Sequence, residues 1–139
     1  MSVEVNLLGV FLAAVSSMVV GSIWYAMPVF GKTWAKLAKL SDKDMKEWAP
    51  QALGIAFVSS LVMAYVLAHV AFLSHEFFDN SFFQDTLTTA FWMWFGFQGL
   101  RTVMHDGFER RSYKLSIINA GNDLVTILVM AVVIGIIGH

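Results

Sequence analysis

Long apolar stretches separated by short polar connections dominate the chain. Four of them are long enough to cross a bilayer as a helix, which takes about 20 residues. They are residues 5–27, 51–73, 83–104 and 115–138. Backbone polar groups inside a bilayer must bond within their own segment, so each stretch is predicted to be a helix. The predicted fold is an all-α integral membrane protein, a single four-transmembrane-helix bundle over residues 1–139.

The connection between the first two spans is amphipathic. Residues 33–48 place Trp34 and Trp48 among lysines, and tryptophan is enriched at membrane interfaces. We therefore predict a short interfacial helix, broken near Ser41, whose side chain would cap a second turn. A solvated linker is the alternative interpretation.

Two further residues mark predicted helix starts. Pro50 is expected in the first turn of the second span, where its missing N–H costs little. Ser81 is followed three residues later by Gln84. This capping-box pattern predicts the start of the third span.

Composition and charge support the membrane interpretation and orient the chain. The sequence is 58% hydrophobic and 14% charged, whereas a soluble domain carries about 25% charged residues. The nine Lys and Arg residues lie in the first and third connections or at the end of the third span, and none lies in the second connection. The positive-inside rule then predicts cytoplasmic basic regions and places both termini outside.

Several chemistries are excluded or receive no support from the sequence. The chain has no cysteine, which excludes disulfides, thiolate metal sites and cysteine nucleophiles. We find no glycine-rich phosphate loop, catalytic-triad spacing, paired histidine ligands or nucleic-acid signature. The sequence therefore predicts no cofactor, no metal site and no nucleic-acid partner.

Two motifs flank the connections at the predicted cytoplasmic side. Residues 21–37 read GSIWYAMPVFGKTWAKL, and residues 108–121 read FERRSYKLSIINAG. Together they resemble the family catalogued as domain of unknown function 1761. The resemblance implies a small four-helix membrane protein, mainly bacterial and so in the bacterial cytoplasmic membrane. It implies no activity.

The first motif has the chemistry of a span ending. Trp24 and Tyr25 suit the headgroup region, Pro28 stops a helix, and Gly31 permits a turn. We predict that the two aromatic residues anchor the span at the headgroups. A ligand-binding role for either is the alternative.

Polar residues form one stripe on each of the last two spans. At 100° per residue, the stripe on span four covers an arc of about 120°. Its members are Ser116, Asn119, Asn122, Asp123 and Thr126. The stripe on span three consists of Gln98, Arg101, Thr102, His105 and Asp106. A short basic loop joins the spans, so we expect antiparallel neighbours with both stripes at the cytoplasmic side.

A carboxylate at this depth needs a partner. Placing one in the bilayer costs about 3 kcal/mol on insertion scales. We predict a buried pair of Asp123 with Arg101, and both are candidate catalytic residues. The predicted binding residues are Gln98, Arg101, His105, Asn119, Asn122 and Asp123. The remaining basic residues of this region are expected to bind anionic lipid at the headgroups: Arg110, Arg111 and Lys114.

The leading functional hypothesis is a small-solute or ion carrier that works as a homo-oligomer. It predicts a site open to the cytoplasm and connected outward past Tyr65 and His69. A sealed apolar outer half would count against it. The polar stripes could also serve only to hold helices together, at about 0.6 kcal/mol for each interaction.

Two other classes stay open. A membrane enzyme acting on a lipophilic small molecule, such as an epoxide or a polyene, would use Asp123 as acid or base and Arg101 to set its charge. Trp94 and Phe91 would line its apolar part, and the site would open laterally to lipid. A structural or assembly subunit needs no pocket, and the small residues of spans one and two would form its interface.

Overall fold

The computed structural model describes residues 3–139, and helices account for most of this range. The helices are α1 (Leu7–Trp24), α2 (Lys32–Leu37), α3 (Asp42–Phe77), α4 (Phe82–Met93), α5 (Leu100–Phe108) and α6 (Tyr113–Ile137). Two π-helical segments interrupt the α-helices. Met27–Gly31 precedes α2, and Trp94–Gly99 joins α4 to α5.

The long helices pack in a ring. Helix α1 lies between α3 and α6, and α4 also lies between α3 and α6. The predicted adjacency of the last two spans is therefore present. We call the end where α1 finishes and α6 begins the basic end, and the end with the α3–α4 connection the acidic end.

The hydrophobic core occupies the half nearer the acidic end. Leu67 of α3 is 1% exposed, and Met130 and Ile134 of α6 are 0% and 2% exposed. Small residues from the four helices surround them, and the absence of bulk lets the backbones approach closely. The principal small members are Ala13, Ala64, Ala68, Ala90 and Ala131. This half of the bundle is an apolar, closely packed plug.

Three helices are long and apolar enough to cross a membrane. Helices α1, α3 and α6 contain windows with a mean hydropathy of 2.0, 2.1 and 2.2. The third predicted span, residues 83–104, is not one continuous α-helix. It is divided into α4 of 12 residues, a π-helical segment of 6 and α5 of 9.

The π-helical segment depends on a glycine. The ring of Trp94 packs on Gly99, where a Cβ would lie 2.9 Å from the indole. The tryptophan therefore folds back over its own helix only because residue 99 has no side chain. Single-turn π segments inside α-helices are frequent at functional sites.

The first connection contains the predicted break. The surface helix α2 ends at Leu37, and Lys39 has a positive φ of 56°. Ser41 then caps the next helix in a reciprocal capping box with Asp44, as predicted. The predicted second turn is not separate, however, because it continues without interruption as α3 for 36 residues.

The expectation for Pro50 is wrong for the same reason. Pro50 lies inside α3, well past the first turn. The cap at Ser41 starts the helix earlier than the apolar pattern suggests, and the residues between are good helix formers. Pro50 forfeits one backbone hydrogen bond on an exposed stretch, where water or headgroups can satisfy the freed carbonyl.

Helix α3 leaves the bundle toward the basic end. Residues 51–56 are all exposed, so neither side of the helix packs on protein there. The principal contacts of α3 are with α1 and α4, and not with α5. The basic half of the bundle therefore consists of α1, α6, α5 and the π-helical segment that joins α4 to α5. One flank of this half is not covered by α3.

The acidic end is closed by polar contacts. Ser81 and Gln84 form the predicted capping box at the start of α4. Asp85 is 3% exposed, and its carboxylate contacts His75 Nδ1 at 3.1 Å and accepts from Asn80 at 3.2 Å. His75, near the end of α3, is therefore tied to α4.

Candidate functional site: a polar cluster at the basic end

The polar cluster is built around Asp123 of α6. The side chain of Gln98, in the π-helical segment, faces the Asp123 carboxylate. Tyr25, directly after α1, lies close enough for its hydroxyl to interact electrostatically with the carboxylate. Asp123 thus points into the basic half of the bundle, between residues from two other helical segments.

The end of α1 is fastened to α6 by two hydrogen bonds. Tyr25 Oη donates to Asn119 Oδ1 at 3.0 Å, and Trp24 Nε1 donates to the carbonyl of Ile118 at 3.1 Å. The Trp24 ring also covers Gly121, where a Cβ would lie 3.2 Å from the indole. Because Gly121 offers this space, both aromatic side chains turn inward. Their hydrogen bonds are made to α6, and their anchoring at the headgroups stays a prediction.

The π-helical turn after α1 brings α2 back over the cluster. The Trp34 ring lies 5.0 Å from that of Tyr25, and the Phe30 ring lies 4.7 Å from that of Trp24. Gly31 closes the turn by donating its backbone N–H to Ala26 O at 3.0 Å. The sequence string from Gly21 to Leu37 therefore forms a lid on the cluster as well as a span ending.

Arg101 does not join the cluster. Its side chain is exposed, and residues 3–139 contain no ion pair between it and Asp123. The predicted Arg101–Asp123 pair is absent because the stripe on span three includes the π-helical segment. That segment displaces the α-helical register, so that Arg101 and His105 face outward. The residues that turn inward are Gln98, Thr102 and Asp106.

Asp106 and Ser116 form a second polar contact nearer the basic end. Ser116 Oγ donates to Asp106 Oδ2 at 2.6 Å, and the two residues are 2% and 9% exposed, respectively. Arg111 lies 3.9 Å from the other carboxylate oxygen. The sequence identified both residues as members of the stripes but did not predict their pairing.

We expect Ser116→Ala to destabilise the protein by about 2 kcal/mol, because a hydrogen bond to a buried charged group is lost. The measurement is unfolding of the purified protein in mixed detergent micelles. Ser22→Ala is the matched control, since Ser22 is exposed and its hydroxyl bonds only to Met18 O of its own helix. Equal stability of the two variants would mean that the Asp106–Ser116 contact does not hold α5 to α6.

Three buried polar atoms near the cluster lack a protein partner. They are Trp94 Nε1, Asn122 Nδ2 and Thr126 Oγ1, with no hydrogen bond to any part of the chain that the structure describes. Asn122 is only 9% exposed. Asn122 and Thr126 are one turn apart on α6 and thus share a face. Since buried polar atoms are nearly always bonded, these atoms are where water or a ligand is expected to bind.

Comparison with known families fits this geometry. A family model described as "Protein of unknown function (DUF1761)" matches residues 8–135, nearly the whole chain. The chain belongs to this family. Neither a curated protein nor a solved structure matches it.

In this DUF1761 member, the two stretches that carry the family resemblance meet in space. Residues 21–37 supply Trp24 and Tyr25, and residues 108–121 supply their partners Ile118, Asn119 and Gly121. The contact between the motifs forms one wall of the polar cluster.

Proposed function

We propose that this DUF1761 chain is a four-span membrane protein that binds a small cation at the polar cluster. The cation is either an inorganic ion or a protonated amine. The observation that carries the proposal is that the Asp123 carboxylate faces the bundle interior without a basic side chain within ion-pair distance in residues 3–139.

An isolated carboxylate is unfavourable in such surroundings. The cost of about 3 kcal/mol must be offset by a proton, a cation or a hydrogen-bonding shell. Gln98 supplies part of that shell but carries no compensating charge, and the nearby Tyr25 hydroxyl donates to Asn119 instead. A bound cation supplies the missing charge and leaves the carboxylate ionised.

The partnerless polar atoms extend the site beyond the carboxylate. Trp94 and Asn122 offer N–H donors, and Thr126 offers a hydroxyl. Small-molecule sites combine apolar walls with a few convergent polar groups. These donors are suited to a water molecule bound beside the cation.

Access to the site is from the basic end. The apolar plug around Leu67, Met130 and Ile134 separates the cluster from the acidic end. Tyr65 is 46% exposed, and its ring stacks beside His69 at 6.1 Å on the same helix face. The sequence hypothesis required a route past these two residues, and the plug counts against such a route in this conformation. Carrier activity would therefore require the plug to open or copies of the chain to associate.

One observation favours the enzyme hypothesis as a second candidate. Residues 51–56 are exposed, and the flank of the basic half that α3 leaves uncovered could admit a lipophilic molecule from the bilayer. Asp123 keeps its candidate role as acid or base. Arg101 does not, because it faces away, and Phe91 is 42% exposed and does not line the cluster.

The orientation of the chain is tested by reporter fusions. The segregation of lysine and arginine predicts that a reporter after His139 and one inserted at Asp79 both lie outside the cytoplasm. A phosphatase reporter, which is active outside, and a fluorescent reporter, which is active inside, give opposite readings. A cytoplasmic reading at both sites would show that the topology is the inverse of the predicted one. Opposite readings at the two sites would mean that an odd number of spans separates them, so one of the four predicted spans would not cross the membrane.

Cation binding is tested by titrating the purified protein with sodium, potassium and ethylammonium chloride. Trp24 and Trp94 border the cluster, so their fluorescence reports its occupancy. N-methyl-D-glucamine chloride, whose cation is much larger than the other three, controls for ionic strength. We expect a saturable change with at least one of the small cations and none with the control. Identical responses to all four salts would refute the proposal.

A further inference from the structure

The outward face of the α4–α5 region carries a charge among apolar side chains. Arg101 is exposed there, and its neighbours Phe97, Leu100 and Met104 are 79%, 55% and 51% exposed. These apolar side chains are positioned to contact lipid. The arginine therefore lies on the lipid-facing surface, close to the basic end.

Two shallow grooves flank Arg101. The first, of about 270 Å³, is apolar apart from the guanidinium. It is lined by Gly96, Phe97, Leu100, Arg101 and Met104. The second, of about 280 Å³, is lined mainly by polar residues, and we call it the polar groove. It is lined by Phe97, Gln98, Arg101, Thr102, His105 and Asp106.

The guanidinium has no carboxylate partner in residues 3–139. A charge on a lipid-facing surface is costly unless it reaches the headgroups or an anion. A planar guanidinium binds phosphate oxygens in a bidentate manner, which makes phosphate a fitting partner. Phosphate is also the anion that phospholipids place at this depth.

We propose that this surface binds one anionic phospholipid. The phosphate lies against Arg101 in the polar groove, beside the exposed ring of His105. An acyl chain follows the apolar groove along Phe97 and Leu100. The space beside Gly96 in that groove is open, since a Cβ there would meet nothing within 4 Å.

The preference for an anionic lipid follows from the charges on this face. Asp106 is the acidic residue of the polar groove, but its carboxylate is taken by Ser116 at 2.6 Å and is nearly buried. A zwitterionic headgroup would therefore find no free carboxylate for its ammonium group. An anionic headgroup in this groove meets the guanidinium of Arg101 beside the ring of His105.

This site differs from the basic loop that follows α5. Arg111 in that loop already pairs with Glu109 at 2.6 Å, and Lys114 lines neither of the two grooves. Loop residues of this kind attract anionic lipids diffusely, at about 1 kcal/mol each. Arg101 combines the charge with a place for the acyl chain.

The test is native mass spectrometry of the full-length protein released from detergent with phosphatidylglycerol or phosphatidylcholine. We expect one phosphatidylglycerol per chain, retained at least tenfold better than phosphatidylcholine. Arg101→Gln should reduce the retention of phosphatidylglycerol at least tenfold. Lys114→Gln, which removes the same charge from the loop, should change it less than twofold.

Three results would overturn the proposal. Arg101→Gln could retain phosphatidylglycerol as the wild type does, or Lys114→Gln could lose as much as Arg101→Gln. If millimolar inorganic phosphate displaced phosphatidylglycerol as efficiently as added phosphatidylglycerol does, the surface would be a free-phosphate site instead of a lipid site. Should Arg101→Gln fail to fold, Arg101→Lys decides, because it keeps the charge and is still expected to lose at least threefold in retention.

Discussion

Replacing Gly31 by alanine is expected to destabilise the protein by about 3 kcal/mol, the upper range for forced overpacking. Gly31 is buried in the π-helical turn after α1. A Cβ there would collide with the Tyr25 carbonyl and lie 2.9 Å from backbone atoms of Ala26. Backbone atoms cannot move aside as a flexible side chain can. The turn must therefore open, and Trp34 would lose its place against Tyr25.

Gly54→Ala is the matched control for this variant. Gly54 lies in the exposed part of α3, and a Cβ there meets nothing within 4 Å. The substitution should stabilise the helix by up to about 1 kcal/mol, because alanine has the higher helix propensity. Unfolding of both variants in mixed micelles measures the difference. Equal stability of Gly31→Ala and the wild type would show that the lid over the cluster is not packed as described.

Asp123→Asn is expected to abolish the response to small cations, with at least a hundredfold loss of apparent affinity. It should also raise the stability of the ligand-free protein by about 1–2 kcal/mol, since part of the cost of an unpaired carboxylate disappears. These opposite effects distinguish a ligand site from a structural contact. Loss of a structural hydrogen bond would lower stability. Asp79→Asn removes the same charge from an exposed residue of the α3–α4 connection and should change neither quantity.

The geometry makes a further prediction about Arg101 and Asp123. Because the two side chains do not pair, the effects of Arg101→Gln and Asp123→Asn on stability should add to within about 0.5 kcal/mol in the double variant. A larger coupling energy would show that the ion pair predicted from the sequence does form. It would also mean that Asp123 has a cationic partner within the chain, which contradicts the proposed function.

Much of the fold follows from hydrophobic pattern and capping residues. The apolar stretches predict α1, α3 and α6, and the capping boxes at Ser41 and Ser81 correctly mark the starts of α3 and α4. The family resemblance is confirmed over residues 8–135. These features are local, so short stretches of sequence contain enough information to predict them.

The errors occur where packing overrides periodicity. A 3.6-residue repeat places Arg101 beside Gln98, but the π-helical segment ending at Gly99 displaces that register. The signal available was the pair of Trp94 and Gly99, which combines a bulky ring with a residue that leaves room for it. Aromatic residues at a span end also suggest headgroup anchors, and only the three-dimensional position of Gly121 shows that Trp24 turns inward.

The candidate site was predictable in part. The stripe on α6 correctly identifies the helix that carries Asn119, Asn122 and Asp123 at its basic end. Tyr25 was missed as a member of the cluster, because its partner Asn119 is 94 residues away in sequence. Both residues lie in the motifs that carry the family resemblance, and asking which residues of the two motifs could bond to each other would have suggested the contact.

The most direct test of the central claim is an infrared difference spectrum of the Asp123 carboxyl group, recorded with and without the small cation that gives the largest fluorescence response. Carbon-13 labelling of aspartate shifts the bands and identifies them as carboxyl vibrations, and Asp123→Asn assigns the band to residue 123. We expect a carboxylate band that changes with the cation in the wild type and is missing from the variant. A difference spectrum that is unchanged by Asp123→Asn would show that Asp123 does not bind the cation.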